Sequence, residues 1–132
     1  MSRDDALNEL RQLLGPKGFT SDAEAMAPWL TDQRGRYHGA AAAMLSPANQ
    51  QEVAQIVAIA AKHNIPLVPQ GGNSGMVAGA TPDSSGNQLL LSLRRMDHIG
   101  AVDEGTGLVR CEAGVVLQNL HESVAASGRR FP

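Results

Sequence analysis

Cysteine occurs once in the 132 residues, at Cys111, so neither an internal disulfide nor a cysteine-pair metal site can form. Aromatic residues make up only 3% of the chain, and the formal net charge is -2. A polyanion finds no basic surface here and few rings to stack on, which excludes nucleic acid as the expected partner. Long apolar runs are missing as well. The opening stretch, MSRDDALNEL, is acidic and lacks the apolar segment of a signal peptide or a membrane span, so the cytoplasm is the expected location. Hydrophobic residues nevertheless reach 42%, which is enough for one globular domain with a core of Ala, Val, Leu, Ile and Met.

The pattern of the chain reads as alternating helices and short strands. Ser2 and Asp5 have capping-box spacing, Leu7, Leu10, Leu13 and Leu14 follow on one helical face, and Gly15-Pro16 stops the helix. A second short helix is expected from Ser21, with Glu24 three residues on and Pro28 limiting its length. The stretch TDQRGRYHG reads as loop, and residues 40–45 as a first strand.

Asn49 and Glu52 then start the clearest helix, with Val53, Ile56, Val57 and Ala60 on one face and His63-Asn64 at its end. Residues 65–68 form the next expected strand, and strand, helix, strand at this spacing is a βαβ unit with parallel strands. LLLSL is another buried strand. HIGAVDEGTGLVRCEAG reads as a hairpin turning at 103–107, its second arm placing Val109 and Cys111 on the inner face. Leu117, Leu120, His121 and Val124 mark a last amphipathic helix before Gly128. The fold class is α/β (α+β): a βαβ unit plus a hairpin in a small mixed sheet with flanking helices. The expected organisation is a helical and loop segment over 1–40 and a subdomain over 41–132, and the apolar strand-like ending GRRFP leads us to read the chain as a piece of something longer.

The stretch PLVPQGGNSGMVAGATP is unusual, with Gly71, Gly72, Gly75 and Gly79 falling within nine residues directly after the strand. No register of these glycines gives the dinucleotide fingerprint, and the absence of lysine excludes a P-loop. Two readings remain. Consecutive amides with few Cβ atoms can curl into a nest that converges on an anion, with Asn73 and Ser74 adding uncharged hydrogen bonds. Alternatively, the segment is only a flexible surface connection.

PQGGNSGMVAG resembles the pyrophosphate-binding loop of the vanillyl-alcohol oxidase and p-cresol methylhydroxylase superfamily of FAD enzymes. TDQRGRYHG is similar to the Thr-Asp-Trp-Arg-Gly segment of D-2-hydroxyglutarate and D-lactate dehydrogenases of that superfamily. LSPANQQEVAQIVAIAAKHNIPLVPQGGNSG, LLLSLRRMDHIGAVD, VRCEAGVVLQNL and GRRFP follow in the family's order. The resemblance implies the first half of an FAD-binding domain, with Gln70, Gly71, Gly72, Asn73, Ser74, Gly75 and Met76 holding the pyrophosphate. Some relatives attach flavin through a His at the position of Asn73. An amide is no nucleophile, so the expected cofactor is non-covalent FAD.

Ser74 stands where Thr is usual and keeps the hydroxyl, Ala78 stands where Gly is frequent, and Gln33 stands where Trp is common; the loss of that Trp counts against a contact role for the 31–39 loop. It further implies that a second flavin-binding segment and a substrate domain lie beyond Pro132. The parent would be a flavin-dependent dehydrogenase passing hydride from a D-2-hydroxy acid, such as D-2-hydroxyglutarate or D-lactate, to flavin, with an electron acceptor as second partner. The 132 residues alone would be inactive and carry no catalytic residue. With their covering half missing, the strand at 89–93 and the terminal strand would favour self-association. A non-catalytic nucleotide- or anion-binding module and a structural assembly domain are the other classes left open.

The four histidines, His38, His63, His98 and His121, have no ligand spacing with one another, with Cys111 or with carboxylates, so no metal site is expected and solvated or capping roles fit them. Arg34, Arg36, Arg94 and Arg95 read mainly as solvated charge. Asp103 and Glu104 form no acid/base pair, because nothing nearby separates their pKa values.

Overall fold

The first helix shows how closely local chemistry sets the elements. In the computed structural model, which describes residues 2–132, α1 spans Arg3–Gly18. Ser2 caps it, its hydroxyl accepting from the Asp5 amide at 3.2 Å while the Asp5 carboxylate accepts from the Ser2 amide at 2.8 Å. Gly15 takes φ 67 and breaks the helix ahead of Pro16, but a last turn resumes up to Gly18. The expected stop is therefore a kink.

The chain then enters β1 (Phe19–Thr20), which the sequence pattern did not reveal. Two residues are too few to show a period. Helix α2 (Ala23–Met26) is capped by Asp22 rather than Ser21, the Asp22 carboxylate accepting from the Ala25 amide at 2.9 Å, and a single 3₁₀ turn, Ala27–Trp29, carries Pro28. Of the strand expected over 40–45 only β2 (Met44–Leu45) forms.

Helix α3 (Gln50–Lys62) starts at Asn49, whose side chain accepts from the Glu52 amide, and Glu52 accepts from the Ala48 amide. Its inner face is Ile56, Ile59 and Ala60, whereas Val57 points to solvent. Asn64 closes it at φ 54, as its tolerance of that conformation suggests.

Strands β3 (Leu67–Gln70) and β4 (Leu89–Ser92) complete a four-stranded sheet in the order β1-β2-β4-β3. β1 is antiparallel to β2, and β4 runs parallel to both β2 and β3. The two strands of the βαβ unit are thus parallel but not neighbours, because β4 lies between them. LLLS is the central strand and is buried throughout.

Side-chain alternation along β4 splits the core. Leu89 and Leu91 join Leu10, Leu14, Phe19, Leu45 and Ile56 under α1 and α3, while Leu90 joins Met26, Met44 and Val68 on the opposite face. Each fully buried Leu or Ile contributes roughly 1.5–3 kcal/mol.

Residues 98–112 fold back as expected, but one isolated antiparallel bridge, Ile99 to Cys111, replaces a ladder. The turn is held by Asp103, whose Oδ1 accepts from the Thr106 amide at 2.9 Å, and by Gly107 at φ 72. Cys111 is exposed rather than inward, because this ribbon has no sheet neighbour to give it an inner face. Helix α4 (Leu117–Ala126) buries Leu120 and Val124 but leaves Leu117 outside, and Gly128 follows at φ 75. Residues 1–40 and 41–132 share the sheet, since β1 pairs with β2.

Candidate functional site

The carboxyl end of β3 is where an α/β sheet customarily meets a ligand, and the glycine-rich loop begins there. Gln70, the last residue of β3, is 1% exposed. Its Nε2 donates to the Trp29 carbonyl at 2.9 Å and to the Ala80 carbonyl at 3.0 Å. Both partners are acceptors, so the amide nitrogen must face them, and Oε1 is left buried without a partner among the described residues.

Gly71 and Gly72 follow as exposed residues, and a Cβ built on either of them, or on Gly75 or Gly79, meets nothing within 4 Å. None of these four takes the left-handed backbone. The positive φ values in the loop belong instead to Asn73 (φ 55) and Ala78 (φ 58). No acceptor among the described residues pairs with the backbone amides of residues 71–76. Ser74, Gly75 and Met76 are exposed, and Val77 beside them is 89% exposed.

Asn73 is the exception to this openness. Its Nδ2 donates to the Thr31 carbonyl at 2.8 Å. The 31–39 loop, which the resemblance left without a contact role, therefore touches the glycine-rich loop directly. The link runs through a backbone carbonyl, so no side-chain motif advertises it.

Thr31 opens a tight turn that returns at His38, the two residues forming an isolated bridge with Thr31 Oγ1 and His38 Nδ1 3.1 Å apart. Inside it, Asp32 is 6% exposed, and its Oδ1 accepts from the Tyr37 amide at 2.7 Å and the Arg36 amide at 2.8 Å. The Tyr37 amide first, and the Arg36 amide after it, hold the Asp32 carboxyl below the usual carboxylate range. Gly39 then packs so closely that a Cβ would fall on the Pro82 carbonyl. The Ala40 amide donates to the Asp83 carbonyl at 2.8 Å. Residues 29–40 thus form a collar that grips the loop at Gln70, Asn73, Pro82 and Asp83.

Between collar and loop opens a cavity of about 590 Å³, lined among others by Tyr37, His38, Val77, Gly79, Asp83 and Gln88. Chemically, the site offers uncharged donors and an accessible backbone. It holds no general acid/base pair, and no cluster of three or more metal-ligating side chains exists among the described residues. The histidines are separate: His63 takes the capping place at the end of α3, its side chain not solvated but 1% exposed, with Nε2 3.3 Å from Glu9 Oε1 of α1. Arg95 is tied down as well, donating to the Ser46 carbonyl at 2.8 Å.

Comparison with known proteins places this geometry in context. The family described as FAD binding domain matches residues 41–132. The mitochondrial D-2-hydroxyglutarate dehydrogenase of Arabidopsis thaliana is 34% identical over 122 residues, covering 92% of this chain and 22% of that protein. The chain therefore spans about a fifth of the length of that relative. A solved structure of alkyldihydroxyacetonephosphate synthase superposes with a TM-score of 0.83 at 22% identity, over 97% of this chain and 26% of that one. p-Cresol methylhydroxylase with substrate bound gives 0.78 at 21% identity, over 95% and 25%.

At these identities the two structures establish a shared fold. The Arabidopsis relative is named as mitochondrial, so the expectation of a cytoplasmic location stands on composition alone. No helix among the described residues is long and apolar enough to cross a membrane. By family match and sequence relatives, the chain belongs to the FAD-binding domain family.

Proposed function

We propose that residues 70–76 cradle the pyrophosphate of a non-covalently held FAD, and that the whole protein is a dehydrogenase of D-2-hydroxy acids. One observation carries the first part: the loop is glycine-rich without any internal need for glycine. Its Cβ positions are empty and its amides unpaired, which suits a ligand lying against the backbone. The donor set fits the group, since a pyrophosphate takes hydrogen bonds from amides and hydroxyls and needs no metal to do so. The Oε1 of Gln70 only accepts and its Nε2 is already committed, so Gln70 fixes the start of the loop rather than donating to the pyrophosphate. Asn73 offers no nucleophile for a covalent flavin link.

When bound, FAD supplies the hydride acceptor. The chain's own part is to bind and orient: β3 delivers the loop, Gln70 fixes its start, and the collar fixes its middle. Residues 41–132 would act as the N-terminal subdomain of the flavin domain, with 1–40 packed on it. Relatedness to D-2-hydroxyglutarate dehydrogenase supports the substrate class. The second partner would be an electron acceptor, and self-association of the 132 residues by themselves is part of the same proposal.

The test is the visible spectrum of the full-length protein before and after anaerobic D-2-hydroxyglutarate. A flavin band that bleaches supports both cofactor and reaction. A band that persists keeps FAD and discards that substrate, and D-lactate and glycolate are then tried in turn. A protein without a band that takes up no added FAD would sink the reading, leaving an anion-binding module or a structural domain.

A further inference from the structure

A glycine-rich loop whose amides over residues 71–76 have no partner among the described residues should be mobile, yet a pre-organised cradle must hold its shape before the ligand arrives. Within residues 71–76 the one side-chain anchor is the bond from Asn73 to the Thr31 carbonyl. That carbonyl is only as well placed as the turn it opens. The turn is closed by the Asp32 amide donating to the Tyr37 carbonyl at 3.2 Å and the Gly35 amide donating to the Asp32 carbonyl at 3.0 Å. The buried Asp32 carboxylate then collects the amides of Arg36 and Tyr37 on a single oxygen.

Resting on the cradle reading above, we propose that Asp32 is a positioning residue for the cofactor: it shapes the 31–38 turn so that the Thr31 carbonyl holds Asn73, and Asn73 holds the loop. Among the described residues Asp32 makes no hydrogen bond to the cradle itself, so its effect on binding travels through the Asn73 strut.

The proposal predicts a specific coupling. In FAD titrations of the flavin-free full-length protein, followed by quenching of flavin fluorescence, Asp32→Ala should weaken binding roughly tenfold, the worth of one good hydrogen bond. Asn73→Gly removes the strut while leaving φ 55 accessible, and should cost about the same. The double variant should be no worse than the weaker single one, because both changes cut one path. Losses that multiply in the double variant, to roughly a hundredfold, would overturn the proposal, as would an Asp32→Ala variant that binds FAD normally.

Asp32→Asn keeps an oxygen for both amides and should stay within about twofold of wild type; a loss equal to that of Asp32→Ala would show that charge, not turn geometry, matters, and would also overturn it. Should Asp32→Ala not fold, Asp32→Thr, whose hydroxyl can accept one of the two amides, serves in the same cycle. Gly72→Val separates the two failures. If it abolishes FAD binding while the cycle multiplies, only the role of Asp32 falls. If it binds FAD as wild type does, the cradle falls and the proposal with it.

Discussion

Two groups of glycines in this chain look alike in sequence and differ completely in their surroundings. At Gly39 and Gly114 the place of a Cβ is already filled, by the Pro82 carbonyl and by the Leu93 carbonyl respectively. At Gly71, Gly72, Gly75 and Gly79 it is empty for 4 Å, and the backbone is one that any residue adopts. The same loop carries Asn73 and Ala78 at the two positions where its backbone does turn left-handed. Glycine sits where the loop's own conformation does not need it, and non-glycine residues sit where it would be easiest. The first group answers to the fold. The second answers to no contact within the described residues, which is what the cradle reading requires.

The sharpest way to break this comparison is to add the missing carbon on both sides. Gly114→Ala or Gly39→Ala drives a methyl into a backbone carbonyl, so stability in urea should fall by at least about 3 kcal/mol, a large share of a typical domain's total. Gly72→Val should move the urea midpoint by less than about 1 kcal/mol and weaken FAD binding by on the order of a hundredfold. Equal stability losses in both groups would show that the loop's glycines are structural after all.

Ala78→Gly probes the loop's own backbone more gently. Relief of the left-handed alanine is worth about 1 kcal/mol, partly returned through the greater freedom of glycine in the unfolded chain, so the net gain should be about 0.5 kcal/mol. A thermal midpoint that falls would mean that the φ at this position is not what limits it.

The comparison also shows what could be read in advance. Helices announced themselves because caps and apolar spacing are local: Ser2 with Asp5, Asn49 with Glu52, and the run from Ile56 to Ala60 all act where they stand in sequence. LLLS was legible as a buried strand because nothing else explains such a run. Strand β1 and the order of the sheet were not legible, since two residues carry no period and pairing is a long-range choice. The glycine-rich loop was visible as a motif, but its left-handed positions, Asn73 and Ala78, were not. The collar escaped notice because its grips on the loop use backbone acceptors, the carbonyls of Trp29 and Thr31. Val57 was placed inward by helical spacing and Cys111 by strand alternation, and neither has an element covering it.

Acid supplies the smallest effect and separates the loop's supports from its glycines. Asp32 is held below the usual range chiefly by the Tyr37 amide, Asp83 by the Ser85 hydroxyl, and Glu9 by Lys62 and then His63. Each depressed carboxyl binds its proton less readily folded than unfolded. Its contribution is therefore complete above the unfolded values, about 3.9 for Asp and 4.3 for Glu, and is lost as pH falls through the lower folded values.

Glu9 lies 2.9 Å from Lys62, but both side chains are more than a third exposed, so screening keeps that pair weak. The buried Asp32 turn should dominate near the loop. Urea midpoints should stay nearly flat from neutral pH to about 4.5 and decline below it, with the decline shallower in Asp32→Asn and little changed in Glu9→Gln. FAD should stay bound in acid until global unfolding, in wild type as in Asp32→Asn, because a protonated Asp32, like an asparagine there, keeps an oxygen for both amides. Release from wild type well before unfolding, absent in Asp32→Asn, would show that the carboxylate charge and not the turn geometry holds the loop.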